Sequence, residues 1–340
     1  MIRNSVWLLI AIIAGAVMGL PAMADENPTD AARFSAGFRT LSAEDTVGQT
    51  PVPMSVWYPA SGPEVPVTFW PYTMKLVRNA APAEGRFPLV AISHGHGGSS
   101  LAHCDTATYL ARSGFVVVAP THPGDNYKDI SQVATASQLE GRSRHMALSV
   151  DRVLADPALS EITDPGRIGV IGFSVGGYTA LTLIGGKPEK DKIFPYCDAY
   201  PDDRLFCSGE RLARLKRIAG GISPVHDRRI RAAVLLAPAY GMLFDKATLA
   251  DIGVPVRLYR AEKDQSLRFP FHAGNIRRSL PVPPEYVVVR GAGHFFFMPP
   301  CPADFAEKAP DLCQDAPGTD RVTFHRQLNR EIRDFFERTL

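Results

Sequence analysis

Between Phe87 and His294 the chain repeatedly lays down a short apolar run that ends on Gly, Pro or a reactive polar residue. FPLVAISHG (Phe87–Gly95), FVVVAPTHPG (Phe115–Gly124), RIGVIGF (Arg167–Phe173), IRAAVLLAPA (Ile230–Ala239), VPVRLYRAEKD (Val254–Asp264) and PEYVVVRGAGH (Pro284–His294) are of this kind. Runs so short and so apolar read as strands covered on both faces. Between them lie segments with helical spacing: TATYLARSG (Thr106–Gly114), SRHMALSVDRVLAD (Ser143–Asp156) and GGYTALTLIGG (Gly176–Gly186). Strand and helix in alternation imply an α/β domain, a mostly parallel sheet with helices on both faces. An alternating strand, VPMSVWYPA (Val52–Ala60), precedes the repeat, after a polar lead from Asp25 that reads as irregular. The final segment, TDRVTFHRQLNREIRDFFERTL, reads as an amphipathic helix. The rhythm breaks over residues 187–229, which hold Pro, Asp, Lys and one helical piece, GERLARLKRIAG; they read as a small cap-like insertion over the sheet.

In such a sheet, ligands bind at the carboxyl ends of the strands. The residues there are His94–Ser100, His122–Asp125, Ser174–Gly177, Asp264 and His294. Gly172-Phe173-Ser174-Val175-Gly176 fits G-x-S-x-G at a strand-to-helix junction. Small residues two before and two after the serine allow the tight turn that lifts a nucleophile clear of the sheet. The helix that follows favours negative charge at its N-terminus.

A serine hydroxyl needs a base within hydrogen-bond reach, and that base needs a carboxylate to fix its tautomer. His294 follows the last strand and Asp264 the strand before it, so the catalytic set reads Ser174, Asp264, His294 in chain order. Asp245 and Glu262 are rival acids; His96, His122 and His226 are weaker candidates for the base. An acyl-transfer site also needs N–H donors for the oxyanion. Val175, next to the nucleophile, supplies one, and the glycine-rich loop SHGHGGSS (Ser93–Ser100) the other, with His96 the favoured donor and Gly97 second. Phe295, Phe296 and Phe297 read either as pocket or as core, and Trp70 and Tyr72 as residues that an early hairpin brings towards the site.

The first residues stand apart. MIRNS, then VWLLIAIIAGAVMGL, then PAMA form the charged, apolar and small-residue series of a secretory signal peptide, residues 1–24, with cleavage expected after Ala24. The mature chain, 25–340, then reads as one domain that is periplasmic or secreted, with no stable membrane span. Export makes the cysteines readable as two local disulfides, Cys197–Cys207 and Cys301–Cys313, with Cys104 left as a buried thiol. The net charge is only +2 and no basic block occurs, so nucleic acid is not an implied partner. No Cys/His spacing suggests a zinc site.

Taken together, SHGHGG, APTHPG, IGFSVGGYTAL, EKD and GAGHFFF resemble the dienelactone-hydrolase-like branch of the α/β hydrolases, which is also similar to the platelet-activating-factor acetylhydrolases. The resemblance implies an eight-stranded, mostly parallel sheet and a Ser–His–Asp hydrolase with no metal or organic cofactor. At the nucleophile, Ser174 stands where dienelactone hydrolases carry Cys, and Phe173 where the acetylhydrolases usually carry His. The expected activity is cleavage of a small-molecule carboxylic ester through an acyl-enzyme. The alternatives are an acetylhydrolase- or lipase-like enzyme on short acyl chains of phospholipids, or a non-catalytic binding protein on a hydrolase fold.

Overall fold

The computed structural model describes residues 32–340. The expected signal peptide, residues 1–24, lies outside the described residues. The strands are β1 (Ser35–Asp45), β2 (Thr50–Ala60), β3 (Val65–Phe69), β4 (Tyr72–Arg78), β5 (Phe87–Ser93), β6 (Val116–Pro120), β7 (Thr163–Phe173), β8 (Ile230–Leu236), β9 (Val256–Ala261) and β10 (Glu285–Val289). They form one sheet in the order β10-β9-β8-β7-β5-β6-β2-β1-β4-β3. From β6 to β10 all neighbours are parallel. β2 is antiparallel to β6, and β1 to β2. β5 and β6 are buried at every residue, as their unbroken apolar sequences require.

Two expectations need correction. The sheet has ten strands rather than eight. β1, β2 and β5–β10 make up the expected number, and the β3–β4 hairpin adds two by pairing in parallel with β1 at Gly37–Val77 and Phe38–Arg78. The lead before Val52 is not wholly irregular, because β1 pairs with β2 along its whole length, from Ser35–Ala60 to Asp45–Thr50. Its buried apolar residues, Ala36 to Phe38, cluster at one end, the far end buries the polar Asp45, and the polar remainder hides the alternation. The strand exists through its partner more than through its own pattern.

The main helices are α1 (Cys104–Arg112), α2 (Gly141–Leu154), α3 (Val175–Leu183), α4 (Ile193–Ala199), α5 (Gly209–Lys216) and α6 (Arg321–Thr339). α6 starts where Asp320 accepts a hydrogen bond from the Thr323 N–H, and it buries Leu328, Ile332, Phe335 and Phe336. Among the described residues, no helix is long and apolar enough to cross a membrane. The segment between α3 and β8 holds α4, α5 and a single turn at Arg204–Cys207. Cys197 and Cys207 are bonded within it, Cys301 is bonded to Cys313, and Cys104 is a buried free thiol.

The core also encloses several imidazoles. Burial lowers His94 and His272 to about 3, and His103 and His145 to about 4. The positive charge of Arg142 adds to the effect at His94. All four are neutral when folded and take up protons on unfolding, at a pKa of about 6.5. Between that value and about 4 the unfolded chain binds more protons, so stability falls as pH is lowered through this window. The urea midpoint should drop steadily from pH 7 to pH 4; a flat profile would contradict this burial. Replacing Cys301 and Cys313 together with Ser should cost about 2–3 kcal/mol, the entropy of a short loop released in the unfolded chain. An unchanged urea midpoint would show that this bridge does not restrain that state.

Candidate active site

From β5 the chain crosses to β6 on one side, and β7 then lies on the other side of β5. A crevice opens at such a reversal, at the carboxyl ends of the two strands. Ser93, the last residue of β5, pairs with Gly172, two residues before Ser174. The strand order therefore brings the glycine-rich loop and the serine elbow side by side.

Ser174 has φ 53° and ψ −117°, a conformation rare for a residue with a side chain. Its N–H bonds to the Leu236 carbonyl at 2.9 Å, and its carbonyl accepts from the Ala239 N–H at 2.8 Å. The flanking glycines are required by contact. A Cβ on Gly172 would stand 2.0 Å from the Gly176 carbonyl oxygen, and one on Gly176 2.0 Å from the Ser93 carbonyl oxygen. α3 thus starts in contact with both strands, and Val175, its first residue, has no intrahelical acceptor for its N–H.

His294 opens a turn of 3₁₀ helix after β10, and Asp264 lies in the loop after β9. His294 Nε2 is 3.0 Å from Ser174 Oγ, and its Nδ1 is 2.9 Å from Asp264 Oδ2. The other Asp264 oxygen accepts from the N–H groups of Ser266 and Leu267, at 2.9 and 2.8 Å. The carboxylate is thereby oriented, with Oδ2 left for the ring. The His294 N–H donates to Gln265 Oε1 at 2.9 Å, and the next turn is held by His325, which bridges Asp105 and the Phe296 carbonyl. All three side chains are buried, Ser174 at 8 % exposure.

The rival residues lie elsewhere. Asp245 accepts from the Ala247 and Thr248 N–H groups and pairs with Lys192 at 2.5 Å. Glu262 accepts from the Gly291 N–H. His226 packs beside Gly185, beyond the far end of α3. His122 is buried against His94 and bonds Ser93 Oγ at 2.9 Å. Trp70 is exposed and packs with Tyr72 on Phe305 of the Cys301–Cys313 loop. Phe296 and Phe297 belong to the core, against Phe324 and, for Phe297, Tyr259.

The glycine-rich loop rests on a charged pair of which the sequence pointed only to Asp125, at the end of a strand. Arg142, at the start of α2, and Asp125, after β6, are each 1 % exposed and lie 2.7 Å apart. Asp125 Oδ2 also accepts from Gln138. Asp125 Oδ1 accepts from His96 Nδ1 at 2.5 Å and from the Gly97 N–H at 3.3 Å. Arg142 reaches Ser93 Oγ, the His94 carbonyl and Thr179 Oγ1. Its positive charge and these donors hold the Asp125 carboxyl well below the usual carboxylate range, against its burial. In sequence, Arg142 falls just before the expected helix Ser143–Asp156, and only the depth of its neighbours shows that it is buried.

A cavity of about 30 Å³ adjoins Ser174. His96 and Val175 line it on one side, and Leu205, Phe206 and Arg211 of the inserted segment on another. Phe206 packs edge-on against Tyr240, which also lines the cavity, and against His272. His272 and Asp264 share a neighbouring cavity of similar size.

The family model for dienelactone hydrolases matches residues 76–204, a span that includes the glycine-rich loop and Ser174. No curated protein sequence matches the chain. Among solved structures it is similar to a ferulic acid esterase from Streptomyces cinnamoneus, with 18 % identity over 93 % of this chain and 92 % of that one and a TM-score of 0.61. It is also similar to a dienelactone hydrolase-like promiscuous phosphotriesterase from metagenomic libraries, with 14 % identity over 89 % and 98 % and a TM-score of 0.52. At these identities the structural likeness establishes the fold. With the family match over residues 76–204, the chain is similar in fold and in part of its sequence to dienelactone-hydrolase-like proteins.

Proposed function

We propose that the chain is an exported serine hydrolase that cleaves small carboxylic esters through an acyl-enzyme at Ser174. The observation that carries this reading is His294, which bridges Ser174 Oγ and Asp264 Oδ2 at 3.0 and 2.9 Å. With Nδ1–H donated to the carboxylate, Nε2 is free to accept the serine proton. Ser174 attacks the acyl carbonyl, and the oxyanion is met by the N–H groups of Val175 and His96. The choice of His96 over Gly97 is supported by the Gly97 N–H, which already donates to Asp125. His294 then gives its proton to the leaving alkoxide, and water attacks the acyl-enzyme by the same route in reverse. The cavity of about 30 Å³ favours a short acyl group or a small alcohol, and residues 187–229 act as the cap that narrows it. Export is supported by the signal-like leader and by the two disulfides, which suit an oxidising compartment.

Ser174→Ala should fold normally and lose about 10⁴-fold or more in turnover of p-nitrophenyl acetate, in line with nucleophile deletions in other triads. Near-normal turnover would remove Ser174 from the mechanism. Asp264→Asn keeps the shape of the side chain but can hold His294 in the wrong tautomer, a change that costs about 10⁴ in kcat in a serine protease. Here it should lower kcat severely, while Asp245→Asn and Glu262→Gln keep most activity. The opposite ranking in steady-state kinetics would move the acid to another strand.

A further inference from the structure

We propose that Asp125 is a positioning residue for the oxyanion hole: it fixes the His96–Gly97 backbone through the His96 ring and the Gly97 N–H, and is itself held by Arg142 and Gln138. The inference rests on the reading of Ser174 as nucleophile and of His96 as an oxyanion donor.

Burying a carboxylate and a guanidinium together is expensive, and an apolar pair of similar volume is often as stable or more so. A pair kept at 1 % exposure, directly under a glycine-rich loop, is poorly explained by stability alone. Its remaining bonds show where its rigidity goes. Oδ1 of Asp125 takes both contacts to the loop, His96 Nδ1 at 2.5 Å and the Gly97 N–H at 3.3 Å. Oδ2 takes both supports, Arg142 and Gln138, each at 2.7 Å. Arg142 closes the circuit by reaching Ser93 Oγ and the His94 carbonyl at the root of the same loop, and Thr179 on the helix that follows the nucleophile. The two sides of the oxyanion hole, one after β5 and one at the start of α3, are thus tied to a single guanidinium. The carboxylate accepts, so His96 Nδ1 must carry the proton; the ring acts as a strut with a fixed tautomer. Donors held in place before charge develops stabilise a transition state without reorganisation, and small displacements are costly.

A thionoester separates this role from a merely structural one. The sulfur anion formed from it is large and a poor hydrogen-bond acceptor, so its hydrolysis draws little from the oxyanion hole. The measurement is the ratio of kcat/KM for an aryl acetate to that for the matching aryl thionoacetate. In Asp125→Asn and in His96→Ala, which keeps the backbone N–H, the ratio should fall about ten- to a hundred-fold, a part of what a lost oxyanion donor costs. His96→Asn places an amide N–H where Nδ1 stood and should return the ratio towards the wild-type value. If Asp125→Asn does not fold, His96→Ala decides, since that ring is at the surface and can be removed without opening the core. Both esters slowing equally, with the ratio unchanged, would overturn the proposal. Unimpaired hydrolysis of the oxo ester by Ser174→Ala would instead overturn the reading of the site on which it rests.

Discussion

Three stretches of main chain meet where β5, β7 and the first turn of α3 pass within contact of one another. Neither Gly172 nor Gly176 has room for a single added carbon, because a carbonyl oxygen already stands 2.0 Å from where it would go. That close approach sets the direction of α3, forces Ser174 into a positive φ and brings the loop after β5 beside it. The remaining strands follow from the same centre. Leu236 at the end of β8 accepts the Ser174 N–H, β9 and β10 extend the sheet outward, and their loops return Asp264 and His294 to the serine.

Beneath this meeting point the protein is polar where a core is usually apolar. Arg142, Asp125, His94, His122 and Gln138 are all buried, and their hydrogen bonds run from one to the next or to the main chain of the loop. A partly satisfied network of this kind would be a liability; a satisfied one holds a loop to a single arrangement. The loop's glycines allow its turns but give it no side-chain packing of its own. The order it shows has to come from below, and the buried charges are what supplies it.

Much of this was legible in the sequence, for identifiable reasons. β5, β6 and β8 announce themselves because strands buried on both faces cannot avoid being apolar, β10 is apolar although half-exposed at the sheet edge, and Ser174, Asp264 and His294 stand out as polar residues in the loops that follow β7, β9 and β10. β1 is not legible because its buried apolar residues sit at one end and the buried residue at the other, Asp45, is polar. Arg142 was missed for a different reason. A buried arginine and a surface arginine on a helix look alike until the tertiary neighbours are known, and Asp125 and Thr179 are distant in sequence. The early hairpin forms, but Trp70 and Tyr72 pack on Phe305 of a disulfide loop rather than at the cavity beside Ser174, a contact that no local pattern encodes.

The inserted segment between α3 and β8 contributes Leu205, Phe206 and Arg211 to the cavity, and it is closed on itself by the Cys197–Cys207 bridge. It contributes none of the side chains that bond Ser174, His294 or Asp264. One wall of the cavity is therefore separate from the residues around Ser174, while His96, Val175 and Tyr240 on its other sides come from the segments that follow strands of the sheet itself. Changes confined to this stapled excursion can reshape that wall without touching the side chains that meet at Ser174.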